Sequence, residues 1–189
     1  VIGIANLSIQ SNIITNFCLY LQPYKAYVMQ HLTHICHYQL CSYEELTEQD
    51  RNLVDIAKSA TRQSYAPYSR FHVGAAALLD DGTVVVGTNQ ENAAYPSGMC
   101  AERIALFHAN SCYPRQAVIS LAIAAYHDGK FTSNPISPCG ACRQVMLETE
   151  QRYGMPIRVL LFGVSGTYII EGGAHELLPL TFDASSLGK

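Results

Sequence analysis

The sequence predicts an α/β domain in which a mixed β-sheet is flanked by helices on both faces. Three observations predict it. Two apolar, partly β-branched runs, residues 71–79 and 83–88, are joined by Asp80-Asp81-Gly82, a hairpin signal. Residues 117–125 form a continuous apolar run, the pattern of a strand buried on both faces. Helical and strand-like segments then alternate to residue 170, which favours a sheet covered by helices. A chain of 189 residues, 49% hydrophobic, holds one domain or one domain plus an appendage.

Each element has a local reason. Thr47 with Asp50 resembles a capping pair, and Leu53, Val54, Ala57 and Ala60 follow at helical spacing. Pro67 lies beyond the end of that helix. Residues 89–98 read as a loop, and 99–109 as a helix with Ala105 and Leu106 on its apolar side. Residues 139–153 form a further helix, stopped by Gly154 and Pro156. Residues 157–162 and 167–170 are strands around Gly163-Val164-Ser165-Gly166. There is no internal repeat.

Composition changes sharply near residue 43. Residues 1–43 carry one charged side chain, Lys25, with three of the seven His and three of the seven Cys. Residues 44–189 carry all fifteen acids and the other eleven bases, a balance of −4. We therefore divide the chain into an N-terminal extension of unknown role, 1–43, and a catalytic domain, 44–189. The extension is an appendage or sequence upstream of the true start, with Met29 a candidate initiator. His31, His34 and His37 would share one face if helical, but an incidental His-rich tail is the reading adopted here. The acidic balance argues against nucleic-acid binding. The apolar run 1–21 is broken by Asn6, Ser8, Gln10, Ser11, Asn12 and Asn16, unlike a membrane span. Cysteines that hold metal must stay reduced, which favours a cytoplasmic location.

Chemistry concentrates in Cys100-Ala101-Glu102 and Pro138-Cys139-Gly140-Ala141-Cys142. Three thiolates leave one position of a tetrahedral zinc open, as a catalytic rather than a structural site requires. Glu102 lies two residues past the first ligand, close enough to exchange protons with water on that metal. Cys100 and Cys139/Cys142 fall at predicted helix starts, where the helix dipole stabilises thiolates. Zinc with three thiolates carries net negative charge, which weakens it as an acid. Arg103 is the candidate to withdraw that charge by donating to the thiolates; from spacing alone, a solvated surface arginine is an equal reading. The nucleobase deaminases use this pairing of a ligand-x-Glu motif with Pro-Cys-x-x-Cys.

The stretches YAPYSRFHVGAAALL, GTNQENAAYPSGMCAERIAL, SPCGACRQVM and ELLPLTF resemble the short, homotetrameric cytidine deaminases, over about residues 44–183. The resemblance implies the three-layer sandwich of that family, one Zn2+ per subunit, and hydrolysis of cytidine and deoxycytidine to the uridines in pyrimidine salvage. It implies zinc ligation by Cys100, Cys139 and Cys142, and a proton shuttle at Glu102. The Ala101 amide would hold the pyrimidine oxygen and the Ser137 carbonyl the departing amine. Phe71 would pack on the base, and Asn89 and Glu91 would hold the ribose 3′-hydroxyl. Ala93, Tyr95 and Phe182 would reach a neighbouring subunit's site, so that active sites are shared within the tetramer. Cys112 reads as a small apolar filler, and His72, His108, His127 and His175 as core or surface residues.

Three other readings are weaker. A deaminase of another aminopyrimidine, such as blasticidin S, lacks the Asn-x-Glu pair present here as Asn89 and Glu91. A nucleotide-directed deaminase needs a cation for the phosphate, and no Lys or Arg lies between Arg70 and Arg103. A structural zinc module needs a fourth ligand, Cys112 or His108, and leaves Glu102 without a task.

Overall fold

The computed structural model describes residues 29–188. Among the described residues, those from His34 on form one compact unit, and residues 29–33 belong to a separate one. Residues 1–28 of the extension lie outside the described residues. Residues 29–38 form no helix, so the three-residue spacing of His31, His34 and His37 does not place them on a helix face.

The unit from His34 on contains strands β1 (Gln39–Cys41), β2 (His72–Leu79), β3 (Val84–Thr88), β4 (Val118–His127), β5 (Lys130–Phe131), β6 (Arg158–Gly163) and β7 (Gly166–Ile170). Its helices are α1 (Glu48–Ala60), α2 (Ala101–Cys112), α3 (Gly140–Tyr153) and the short α4 (Ala174–Leu177). The strands form one sheet in the order β1-β7-β6-β4-β2-β3, with β5 on β4. The β4–β6 pair is parallel and the others are antiparallel, so the sheet is mixed as expected. Its first strand starts before the compositional change at residue 43: Gln39–Cys41 lies along β7 as an edge strand.

Side-chain alternation along the strands builds two cores. Ala75, Ala77 and Leu79 of β2 face α2 and α3, where Ala105, Leu106 and Met146 are buried with them. Ala76 and Leu78 face the other way, against Leu53, Val54 and Ala57 of α1. Helices therefore cover both faces. Strand β4, which pairs with β2 and β6, is buried along most of its length, as its unbroken apolar run required.

Caps set where the helices begin. Thr47 caps α1, its hydroxyl accepting from the Asp50 backbone N–H at 3.1 Å and donating to the Asp50 carboxylate at 2.8 Å. That carboxylate also pairs with Arg158 of β6, tying the helix start to the sheet. Helix α3 ends at Gly154 in the left-handed conformation (φ 67°), the stop expected there.

Candidate active site

Two helix N-termini converge at the end of the sheet where β2 begins and β3 and β4 finish. Cys100 is the N-cap of α2 and Cys139 the N-cap of α3, while Cys142 lies in the first turn of α3, fully buried. The Cys100 and Cys139 sulfurs are 3.8 Å apart and those of Cys139 and Cys142 3.4 Å apart. Tetrahedral zinc with Zn–S bonds of about 2.3 Å places its sulfurs about 3.8 Å from one another. The three side chains thus fit one zinc ion. Among the described residues no other His, Cys, Asp or Glu joins this group, so a fourth position stays open. Cys112 and His108, the fourth ligands a structural module would need, stand outside it. Cys112 is exposed at the last residue of α2, so the expectation of a buried filler is corrected.

Close packing brings the first turn of α2 to this position. A Cβ added at Gly87 of β3 would lie 2.2 Å from the Ala101 carbonyl oxygen and 2.4 Å from the Ala105 nitrogen. Only glycine lets the helix start sit so near the strand. Gly87→Ala is expected to cost about 1–3 kcal/mol of stability, as overpacking does. The check is a urea melt, in which the midpoint should fall at unchanged slope.

Charge at the site follows from these contacts. A hydrogen bond from Cys142, aided by the Arg103 guanidinium, holds the Cys100 thiol down to about 5, against the effect of burial. Cys142 is pushed up, first because it donates to Cys100 and then by burial. Arg103 Nη2 lies 3.6 Å from Cys100 Sγ, so its guanidinium faces the sulfur. Glu102, second residue of α2, is 5% exposed, and burial raises its carboxyl above the ordinary range. A group so raised exchanges protons closer to neutral pH.

A cleft of about 540 Å³ opens in front of these residues. Ala101, Glu102 and Arg103 line it from α2, and Ser137 and Cys139 from the turn before α3. Phe71, Asn89, Glu91 and Tyr95 line it from the loops beside β2 and β3. Ala93 and Phe182 are not among the lining residues of this chain's own cleft; both are exposed.

Asn89 and Glu91 are held by specific bonds. Asn89 Oδ1 accepts from the Val73 N–H at 2.7 Å, and Asn89 Nδ2 donates to the Phe71 carbonyl at 2.8 Å. Asn89 therefore fixes the Phe71 backbone, a role the sequence did not disclose. Glu91 accepts from the N–H groups of Tyr68 and Ser69, at 2.9 and 3.3 Å, and from the Ser69 hydroxyl. The Ser69 hydroxyl bond in particular holds the Glu91 carboxyl below its usual range. Ser69 is a cleft residue that sequence reasoning missed, because a loop serine carries no periodic signal.

Residues 47–154 match the family model described as the cytidine and deoxycytidylate deaminase zinc-binding region. The chain is 44% identical over 135 residues to a cytidine deaminase of Halalkalibacterium halodurans, covering 71% of this chain and 95% of that protein. It is 49% identical over 135 residues to a cytidine deaminase of Sporosarcina psychrophila, covering 71% and 92%. The crystal structure of cytidine deaminase from Burkholderia pseudomallei is similar at a TM-score of 0.61 and 40% identity, covering 72% of this chain and all of that one.

Proposed function

The chain belongs to the cytidine deaminase family, and from that premise we propose that it hydrolyses cytidine and deoxycytidine to the uridines and ammonia. The observation that carries the reading is a three-thiolate group beside a buried carboxylate, on the wall of a nucleoside-sized cleft. Cys100, Cys139 and Cys142 hold the zinc. When bound, zinc acts as a Lewis acid and brings the pKa of water to near neutrality. Arg103 and the two helix N-termini offset the negative charge of three thiolates.

The remaining work falls to this chain's own groups. Glu102 takes one proton from the attacking water and delivers it to the ring nitrogen, where it stays. Glu102 then carries that water's second proton to the amine, which departs as ammonia as the C–N bond breaks. Its raised pKa suits both directions of transfer. The Ala101 N–H, first in its helix and free of an intrahelical partner, binds the pyrimidine oxygen. The Ser137 carbonyl accepts from the exocyclic amine, and Phe71 packs on the base.

Asn89 and Glu91 suit a sugar hydroxyl. Asn89 has used one of its two amide hydrogens, and Glu91 three of roughly four acceptor positions. One amide hydrogen and at least one acceptor position remain, the complement of a hydroxyl's own acceptor and donor. We assign them to the ribose 3′-hydroxyl. A hydrogen bond to a charged group contributes about 1.5–3 kcal/mol, so 3′-deoxycytidine should show kcat/KM lower than cytidine by about 10- to 150-fold. Equal turnover of the two would remove the sugar role, and no turnover of cytidine would remove the activity.

Assembly as a homotetramer with shared sites is part of the same reading. Tyr95, 78% exposed at the cleft rim beside Tyr68, and Phe182, 61% exposed near the C-terminal end, support it. Ala93 and Phe182, absent from the chain's own cleft, would then complete a neighbour's. Among the described residues no helix is long and apolar enough to cross a membrane. We infer pyrimidine salvage in the cytoplasm, where thiolate ligands stay reduced.

A further inference from the structure

One arginine holds the turn that carries the proposed amine acceptor. Arg143 follows Cys142 in the first turn of α3, and its guanidinium makes three directed hydrogen bonds. Nε donates to the Pro138 carbonyl at 2.9 Å, Nη2 to Ser137 Oγ at 2.9 Å, and Nη1 to the Leu177 carbonyl at the end of α4 at 2.7 Å. The upstream half of the same loop is fixed separately. Val164 N–H donates to the Thr132 carbonyl at 3.0 Å and Ser165 N–H to the Ser133 carbonyl at 2.9 Å. A Cβ at Gly163 would lie 2.6 Å from the Pro135 nitrogen, so this half rests directly on β6. The downstream half has Arg143 instead. Ser137 lines the cleft, and among the described residues nothing donates a hydrogen bond to its carbonyl.

We propose that Arg143 is a positioning residue that aims the Ser137 carbonyl, so that the cleft distinguishes an amine from an oxygen at ring position 4 of a pyrimidine nucleoside. The inference rests on the deaminase reading above and goes beyond it by naming what sets the selectivity. A fixed acceptor gains a bond to a ligand N–H and meets the lone pairs of a ligand carbonyl unfavourably. The planar fork of arginine holds Ser137, Pro138 and Leu177 at once, which a single flexible ammonium cannot do. Arg143 touches neither the metal nor the ligand in this account. It acts through the turn.

The test is equilibrium binding of cytidine and of uridine, by calorimetry, to zinc-loaded Glu102→Gln protein, which binds without turning over. Arg143→Gln and Arg143→Lys are then added to that parent. Cytidine binding should weaken about 10-fold in both variants, the value of one well-placed hydrogen bond. Uridine, which offers no N–H at position 4, should stay within about twofold of the parent. Equal weakening of both ligands would reduce Arg143 to general support and overturn the proposal, as would no change in either. Should Arg143→Gln fail to fold, Arg143→Lys carries the same comparison, since its ammonium can keep one of the three bonds. A parent that binds no cytidine would contradict the deaminase reading itself, and this inference with it.

Discussion

Replacing Glu102 by glutamine is expected to reduce cytidine turnover by about 10²- to 10⁴-fold, the contribution of general acid–base catalysis, on the proposal that Glu102 moves protons in both halves of the reaction. The amide has the shape of the carboxylate but cannot shuttle a proton. Glu102 sits at the second position of α2, buried at 5% exposure, and glutamine fills the same volume. The fold and the thiolate group should therefore survive. Zinc per chain, measured on the purified variant, should match wild type while kcat collapses. Retention of a tenth of the wild-type rate would show that another group carries the proton.

Cys142→Ala is expected to abolish zinc binding and activity together. Cys142 is fully buried and 3.4 Å from Cys139, so no solvent-side group can take its place in the cluster. Metal that binds only the native state raises stability by mass action, about 4 kcal/mol at a thousand times Kd. Added zinc should therefore raise the Tm of zinc-stripped wild type and leave that of the variant unchanged. Cys112→Ala, on the exposed end of α2, should behave as wild type in both respects. A zinc-dependent Tm shift that persists in Cys142→Ala would place the metal elsewhere.

Much of this arrangement was legible because long periodic segments announce themselves. The helix after Thr47 has its cap and its i, i+3, i+4 apolar spacing, and the α3 helix has its Gly154 stop. The unbroken apolar run of β4 could only lie at the middle of a covered sheet. Short elements lacked such signals. Strand β1 has three residues in a His- and Cys-rich stretch without alternation, and pairing with β7 alone makes it a strand. Strand β5 and helix α4 have two and four residues, too few to show a period. At the site, the grouping of Cys100, Cys139 and Cys142 was legible because metal chemistry demands particular residue types at particular spacings. The supporting bonds were not. Nothing in the sequence around Arg143 tells that its guanidinium turns back onto Ser137 and across to Leu177. Nor does an Asn in a loop reveal that both ends of its amide bind the backbone flanking Phe71.

We propose that zinc on Cys100, Cys139 and Cys142 makes this chain a cytidine deaminase. It is tested most directly by titrating zinc into metal-stripped protein while following loss of the cytosine ultraviolet band and release of ammonia. The rate should rise in proportion to bound zinc and stop rising at one ion per chain, with one ammonia released for each cytidine lost. Full zinc occupancy without loss of cytidine, or deamination that continues in the stripped protein, would contradict it.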